Sequence, residues 1–289
     1  MAHDAERFTF AQVGYTMRDL TNVNVLTSDK LMNETATPLQ TQGFIPPPPP
    51  KTLTAKLVVS FIDWAERRIA ANATYGNRSI YDPKEFAWVA EVEKDWQKIR
   101  VELDEVMKRK DELPNFQDIS TDVKSIQRDN NWKTFMFMGY GKVAQENLKR
   151  CPATGEALKK IPGLKTAFFS ILSPRKHIPA HRGPYNGVLR LHLGLQVPEP
   201  RQDCKIRVDK EYLVWEEGKA VVFDDSFNHE VWNDTAGHRV VLFVDFERPL
   251  PFPWNMLNKL ILSLAVFTPY IREADQNQKA WEQKFYARR

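Results

Sequence analysis

Only two cysteines occur in the 289 residues, Cys151 and Cys204, and neither belongs to a CxxC or CxxxC pair. That excludes a zinc centre built on paired thiolates and leads us to expect two free thiols in a reducing cytoplasm. Long apolar runs are missing as well. No stretch reaches the roughly 18 uninterrupted apolar residues of a membrane span. The opening "MAHDAERFTF" lacks the apolar core that a secretory leader needs. Charge of one sign is scarce: 41 Lys+Arg against 37 Asp+Glu leaves a net charge of +4. This mild excess suits an acidic ligand or an anionic lipid surface. No dense basic stripe is interleaved with aromatics, so nucleic acid is not an expected partner. Internal repeats are absent too. What remains is the composition of an ordinary globular protein, long enough for one large domain with attachments or two modest ones.

Along the chain, residues 1–53 read as a flexible polar arm rich in Thr, Asn, Asp and Gln, ending in "GFIPPPPP". Five consecutive prolines favour an extended polyproline II rod. A spacer is the plain reading of this arm, and a docking ligand for a partner is the sharper one. Residues 54–160 read as a helical support region with one or two strands. A helix is expected over 54–74, either interfacial or packed on the next helix. Another is expected over 83–110, where Phe86, Val89, Val92, Trp96, Ile99, Leu103 and Val106 recur at three- and four-residue steps behind Asp82-Pro83. A strand over 132–141 and a helix over 143–160 complete the region.

The texture changes over 161–250. "KTAFFSILSP", "GVLRLHLGLQVP", "CKIRVD", "EYLVWEEGKAVVFDD", "HEVWND" and "HRVVLFVDFERP" are short alternating runs broken by Pro, Gly, Asn and Asp. Six or more such strands predict a mainly β fold, an antiparallel sandwich or jelly roll with a pocket between its sheets. Residues 251–289 return to helix. Two arrangements suit the charged tail with Trp281 and Phe285, namely folding back on the barrel or pairing with a second copy, so the oligomeric state stays open.

Six residues of the β region carry chemistry. His181 ends one expected strand and His229 begins another. Arg190 and His192 lie two apart on "GVLRLHLGL", which puts them on one face of a strand, with Leu189, Leu191 and Leu193 on the other. Arg239 opens the apolar strand "RVVLFVDF", and Ser170 adds a hydroxyl. Burying such cations is costly unless something anionic pairs with them. One account is a cavity holding a metal and a small dicarboxylate: two imidazoles on a borderline divalent ion such as Fe(II), Arg239 and Ser170 on one carboxylate, Arg190 and His192 at the other end. The alternative is a β-sandwich whose histidines are structural.

The segments "HRGPYNGVLRLHLGL" and "WEEGKAVVFDDSFNHEVWND" closely resemble the aspartyl/asparaginyl β-hydroxylase family, Fe(II)- and 2-oxoglutarate-dependent oxygenases on a double-stranded β-helix. The resemblance is strongest over 165–249 and persists upstream through "LPNFQDIS" and "NWKTFMF". It implies a double-stranded β-helix core with flanking helices. It implies His181 and His229 as metal ligands, and Gly183 in place of the carboxylate that other 2-oxoglutarate oxygenases carry. It further implies Arg239 and Ser170 at the distal carboxylate of 2-oxoglutarate and Arg190 and His192 near its chelating end. Asp224 and Asp225 match family positions as supporting residues, and Trp132 falls where an aromatic lies near the substrate. The chain departs at Val188, where the animal enzymes carry a basic residue beside their peptide substrate.

The expected activity is insertion of a hydroxyl into an unactivated C–H bond, with 2-oxoglutarate converted to succinate and CO2. The expected substrate is an amino-acid-like or peptidyl β-carbon. A lipid A-type acyl-chain hydroxylase at the inner membrane is the first alternative; that related branch is expected to read "HRDPF". Peripheral membrane contact would then run through "WNMLNKLILSLAVFTPY", whose apolar face Asn255, Asn258 and Lys259 interrupt. A two-histidine halogenase and a non-enzymatic β-sandwich binding module are the remaining rivals.

Overall fold

The computed structural model describes residues 52–287 apart from 121, 122, 125 and 127. The expected arm lies, but for its last two positions, outside these residues. The chain runs α1 (Leu53–Ala71), β1 (Ile80–Tyr81), α2 (Ala87–Glu93), α3 (Trp96–Met107), α4 (Phe116–Ile119), β2 (Trp132–Gly139) and β3 (Lys142–Val143). Then come α5 (Gln145–Arg150), α6 (Pro152–Lys159), β4 (Leu164–Leu172), β5 (Lys176–His181), β6 (Val188–Gln196), β7 (Cys204–Val208) and β8 (Glu211–Val214). β9 (Ala220–Phe223), β10 (His229–Asn233), β11 (Arg239–Glu247), α7 (Trp254–Ala265) and α8 (Pro269–Ala287) close it.

Two antiparallel sheets face each other. The larger has seven strands in the order β1-β9-β6-β11-β4-β2-β3, the smaller four in the order β5-β10-β7-β8. From β4 to β11 the chain passes back and forth between the sheets, except for the β7–β8 hairpin within the smaller one, in the pattern of a double-stranded β-helix, as expected. β1, β2 and β3, which precede residue 161, extend the larger sheet.

Alternation decides what each face does. Val240, Leu242, Val244 and Phe246 of β11 join Leu189, Leu191, Leu193 and Leu195 of β6 in a core against the helices. Val241 and Phe243 point the other way, into the space between the sheets, with Phe168, Ile206, Trp215 and Phe223. The leucine face of β6 is therefore no solvent face. Both sides of β11 are buried, so its sequence reads as a nearly continuous apolar run.

The single helix expected over 83–110 is broken. A short 3-10 turn (Pro83–Glu85) precedes α2, and α3 restarts after Asp95. Lys160 holds the break by donating to the Glu91 carbonyl at 3.0 Å and to the Asp95 carboxylate at 2.5 Å. Phe86 and Trp88 can then sit edge-on to Phe246 while Ile99 and Leu103 pack elsewhere in the same core. The helix expected over 143–160 is likewise two, because Pro152 occupies the first turn of α6 and cannot continue a preceding helix. Of the two arrangements for the tail, the chain folds back: Trp281 and Phe285 pack on Phe135 of β2.

Candidate active site

His181 and His229 meet because β5 and β10 are paired with these two residues directly opposite. Their ring centroids are 4.1 Å apart. The Nδ1 of His181 lies 2.8 Å from the Pro179 carbonyl, and that of His229 lies 3.0 Å from the Phe227 carbonyl. A carbonyl only accepts, so each Nδ1 must carry the proton. Burial pushes the His181 imidazole down to about 4 and that of His229 well below its ordinary value. Both rings are therefore neutral near pH 7. Each presents the lone pair of an Nε2 that has no hydrogen-bond partner among the described residues. Backbone-oriented neutral imidazoles are how proteins prepare metal ligands. Among the described residues, no third His, Cys, Asp or Glu joins them at metal-binding distance.

The position of Gly183 has a steric cause. A Cβ placed there would stand 2.1 Å from Oδ2 of Asp225. The Asp225 carboxylate occupies the space a side chain at 183 would need, and the Gly183 N–H donates to the Asp225 carbonyl at 2.7 Å. No aspartate or glutamate fits at 183 while Asp225 stays in place. Asp225 is fully buried, with Oδ1 lacking any protein partner. Burial pushes its carboxyl up, against the pull of Arg190.

The two arginines differ. Arg190 donates to Asp245 through Nε at 2.8 Å and Nη2 at 3.3 Å, and its Nη2 lies 2.7 Å from Asp225. It also stacks 4.2 Å from the Phe243 ring centroid. Arg239 is 1% exposed, and its Nε and Nη1 have no partner among the described residues. It lies over the Trp215 ring, 4.6 Å from the centroid. Burial pulls its guanidinium down to about 10. Ser170 points into the same space from β4, where it faces Val241 two residues along β11 from Arg239. The Trp132 indole N–H donates to the Ser170 hydroxyl at 3.0 Å.

His192 faces this interior from β6, hemmed by Phe223 and Phe243 with ring centroids at 5.0 Å. Neither of its ring nitrogens has a partner. Burial first, then the nearby Arg239 and Arg190 charges, hold it neutral. All six sequence-selected residues thus face one interior. Arg190 is the one whose fork is already engaged by protein carboxylates, so it braces the wall. Asp224 supports from behind: it is fully buried, paired with Arg248, and accepts from the Ser226 N–H at 2.9 Å.

Sequence reasoning missed Trp215, Tyr140 and Asp245. Trp215 lies beyond β8, in a segment without period. Tyr140 follows β2 with φ 46°, a left-handed conformation rare for a bulky residue. Asp245 lies on the inward face of β11 with Arg239, and period two along "RVVLFVDF" would have found it.

This interior is that of a double-stranded β-helix with a prepared histidine pair and an uncompensated buried cation. Residues 93–249, more than half of the chain, match the model of the aspartyl/asparaginyl β-hydroxylase family, and the chain belongs to that family. It is 52% identical over 258 residues to an ornithine lipid ester-linked acyl 2-hydroxylase of Rhizobium tropici, covering 88% of this chain and 92% of that one. It is 35% identical to the human aspartyl/asparaginyl beta-hydroxylase, over 58% of this chain but 22% of that protein. A solved Pseudomonas putida prolyl-4-hydroxylase is similar over 56% of this chain and 99% of its own, with 18% identity and a TM-score of 0.35.

Proposed function

We propose that the protein is an Fe(II)- and 2-oxoglutarate-dependent hydroxylase acting on an acyl chain of an amino-acid-containing lipid, at the carbon next to the ester carbonyl. The observation that carries the cofactor reading is Arg239, a fully buried guanidinium with two unpartnered nitrogens and no carboxylate beside it. An unpaired buried charge is strongly unfavourable, so such a residue fits a ligand that brings its own anion. Ser170 and Arg239 would hold the distal carboxylate of 2-oxoglutarate, and the two free Nε2 atoms of His181 and His229 would hold the metal. When bound, the pair supplies the oxidising chemistry, in which O2 and 2-oxoglutarate yield succinate, CO2 and one oxygen atom for the substrate C–H bond.

The chain itself orients and shields. Carbonyls of Pro179 and Phe227 fix the two imidazoles as Nδ1–H donors. Phe168, Phe223 and Phe243 line the interior and exclude water. Arg190 holds the Asp225 carboxylate in the space over Gly183. Of the two substrate readings, the acyl-lipid one has the stronger support: the R. tropici relative matches nearly end to end, the animal enzyme over about a fifth of its length. Val188, the position at which the chain departs from the animal enzymes' basic residue, is buried in one cluster with Tyr185 and Ile261.

Anaerobic titration with Fe(II) and 2-oxoglutarate tests the cofactor site. A visible charge-transfer band is expected for the wild type and is expected to vanish in His229→Ala. No band in folded wild-type protein would sink the reading. Mass spectrometry of an ester-linked acyl lipid after turnover, read for one added oxygen, tests the substrate.

A further inference from the structure

Helices α1 and α7 are apolar on both sides. Inward, α1 buries Ile62, Ala65 and Ile69, and α7 buries Ile261 and Leu262, in one cluster with Tyr185 and Val188. Outward, Leu57, Phe61 and Trp64 of α1 are 62%, 46% and 38% exposed, and Leu260, Leu264 and the following Phe267 are 55%, 56% and 65% exposed. Steps of three and four put Leu57, Phe61 and Trp64 on one face of α1 and Leu260 and Leu264 on one face of α7, with Phe267 in the turn that follows. The faces join where Trp64 meets Trp254, ring centroids 6.3 Å apart. A surface helix normally buries one apolar stripe and turns a polar one to water. Here the second stripe of each helix is left for something else.

Charge selects what that is. Lys56, Arg67 and Arg68 of α1 and Lys259 of α7 are exposed. The carboxylates of these two helices are Asp63 and Glu66, both half-buried, and Glu66 is taken by Arg182 and Asn186. A second copy of this face would bring cations against cations. An anionic bilayer offers apolar chains for the stripe and headgroup charge for its basic flank. No helix among the described residues is long and apolar enough to cross a membrane, which fits helices lying in its surface.

The same helices grip the loop that follows His181. Glu66 of α1 accepts from the Asn186 N–H at 3.1 Å. Asn258 of α7 accepts from the Tyr185 hydroxyl at 3.0 Å and donates to the Gly187 carbonyl at 2.8 Å. Asn258, which interrupts the apolar sequence, is thus an inward anchor that leaves the outer stripe intact.

We propose that the outer faces of α1 and α7 form one platform that docks on an anionic lipid bilayer and sets the loop after His181 at the headgroup level. For its biological use the platform rests on the acyl-lipid reading above; as a binding surface it does not.

The test is co-sedimentation of the full chain with phosphatidylglycerol/phosphatidylcholine vesicles and with phosphatidylcholine vesicles alone. Brominated acyl chains, which quench tryptophan at bilayer depth, give a second readout. Binding to the anionic vesicles is expected, at least about tenfold weaker without phosphatidylglycerol. Leu57→Ser/Leu260→Ser should lose it while keeping the circular dichroism spectrum and the Fe(II)/2-oxoglutarate band. Trp64→Phe should remove much of the quenching. Equal pelleting of wild type and double variant, or none by either, overturns the platform. So does light scattering showing a dimer that the double variant dissolves without any vesicle binding. Vesicle binding with no hydroxylation of an ester-linked acyl lipid, in vesicles or in detergent, supports the platform and sinks only the acyl-lipid reading.

Discussion

Arg190 and Arg239 enter the same interior from adjacent strands, yet they sit in opposite electrostatic situations. Arg190 is enclosed by Asp225 and Asp245, and every charge in that corner has a partner. Arg239 is the more deeply buried of the two and faces the Trp215 ring, with no carboxylate partner among the described residues. In the first corner protein carboxylates meet the arginine, and Oδ1 of Asp225 is the atom left without a partner among the described residues. In the proposed reading the anion of a ligand completes the second, and that difference separates a bracing residue from a binding one where residue type alone cannot.

The comparison breaks most sharply on stability. Arg190→Met leaves two buried carboxylates without their counter-charge, and we expect a loss of about 3–5 kcal/mol in urea unfolding. Arg239→Met removes an uncompensated charge, so the apo-protein should be unchanged or slightly more stable, while 2-oxoglutarate binding weakens by about 2–5 kcal/mol in calorimetric titration. If Arg239→Met destabilises the apo-protein as much as Arg190→Met, the two corners are alike and the ligand assignment fails.

Gly183→Ala probes the paired corner by crowding. Its new Cβ would meet the Asp225 carboxylate, so a cost of about 1–3 kcal/mol is expected, with Gly183→Asp costing more. A stable Gly183→Asp protein would show that Asp225 moves aside readily.

The smallest effect is one of pH. His181, His192 and His229 are held neutral in the folded protein, His181 down to about 4, whereas unfolded imidazoles titrate near 6.5. Below that value the unfolded chain binds more protons than the folded one. Stability is therefore full above pH 6.5 and falls as pH drops towards 4, by up to about 1.4 kcal/mol per pH unit for each histidine. His192→Gln should flatten the slope of the apo-protein's denaturation midpoint against pH. An unchanged slope would place His192 in contact with water.

Much of the site was legible before any coordinates. Period two along "GVLRLHLGL" puts Arg190 and His192 opposite the leucines, and β6 is built so. His181 and His229 fall at the strand ends where the alternating runs stop. Helix continuity was less legible near Asp95, where the break satisfies contacts with the distant Lys160 and Phe246, than at Pro152, where the proline itself is the local signal. The apolar period of "WNMLNKLILSLA" was visible, but whether Asn258 interrupts the outer face or anchors the inner one was not.

The amino-acid sequence by itself determined most strands of the β region, the residues of β6 that face inward and the cations that would have to be buried, because alternation and residue chemistry are local. Only the tertiary structure decided which cation is paired and which waits, and why position 183 must be glycine. Those outcomes depend on side chains far apart in the chain, Arg190 with Asp225 and Asp245, Gly183 with Asp225, that meet only once the sheets have closed.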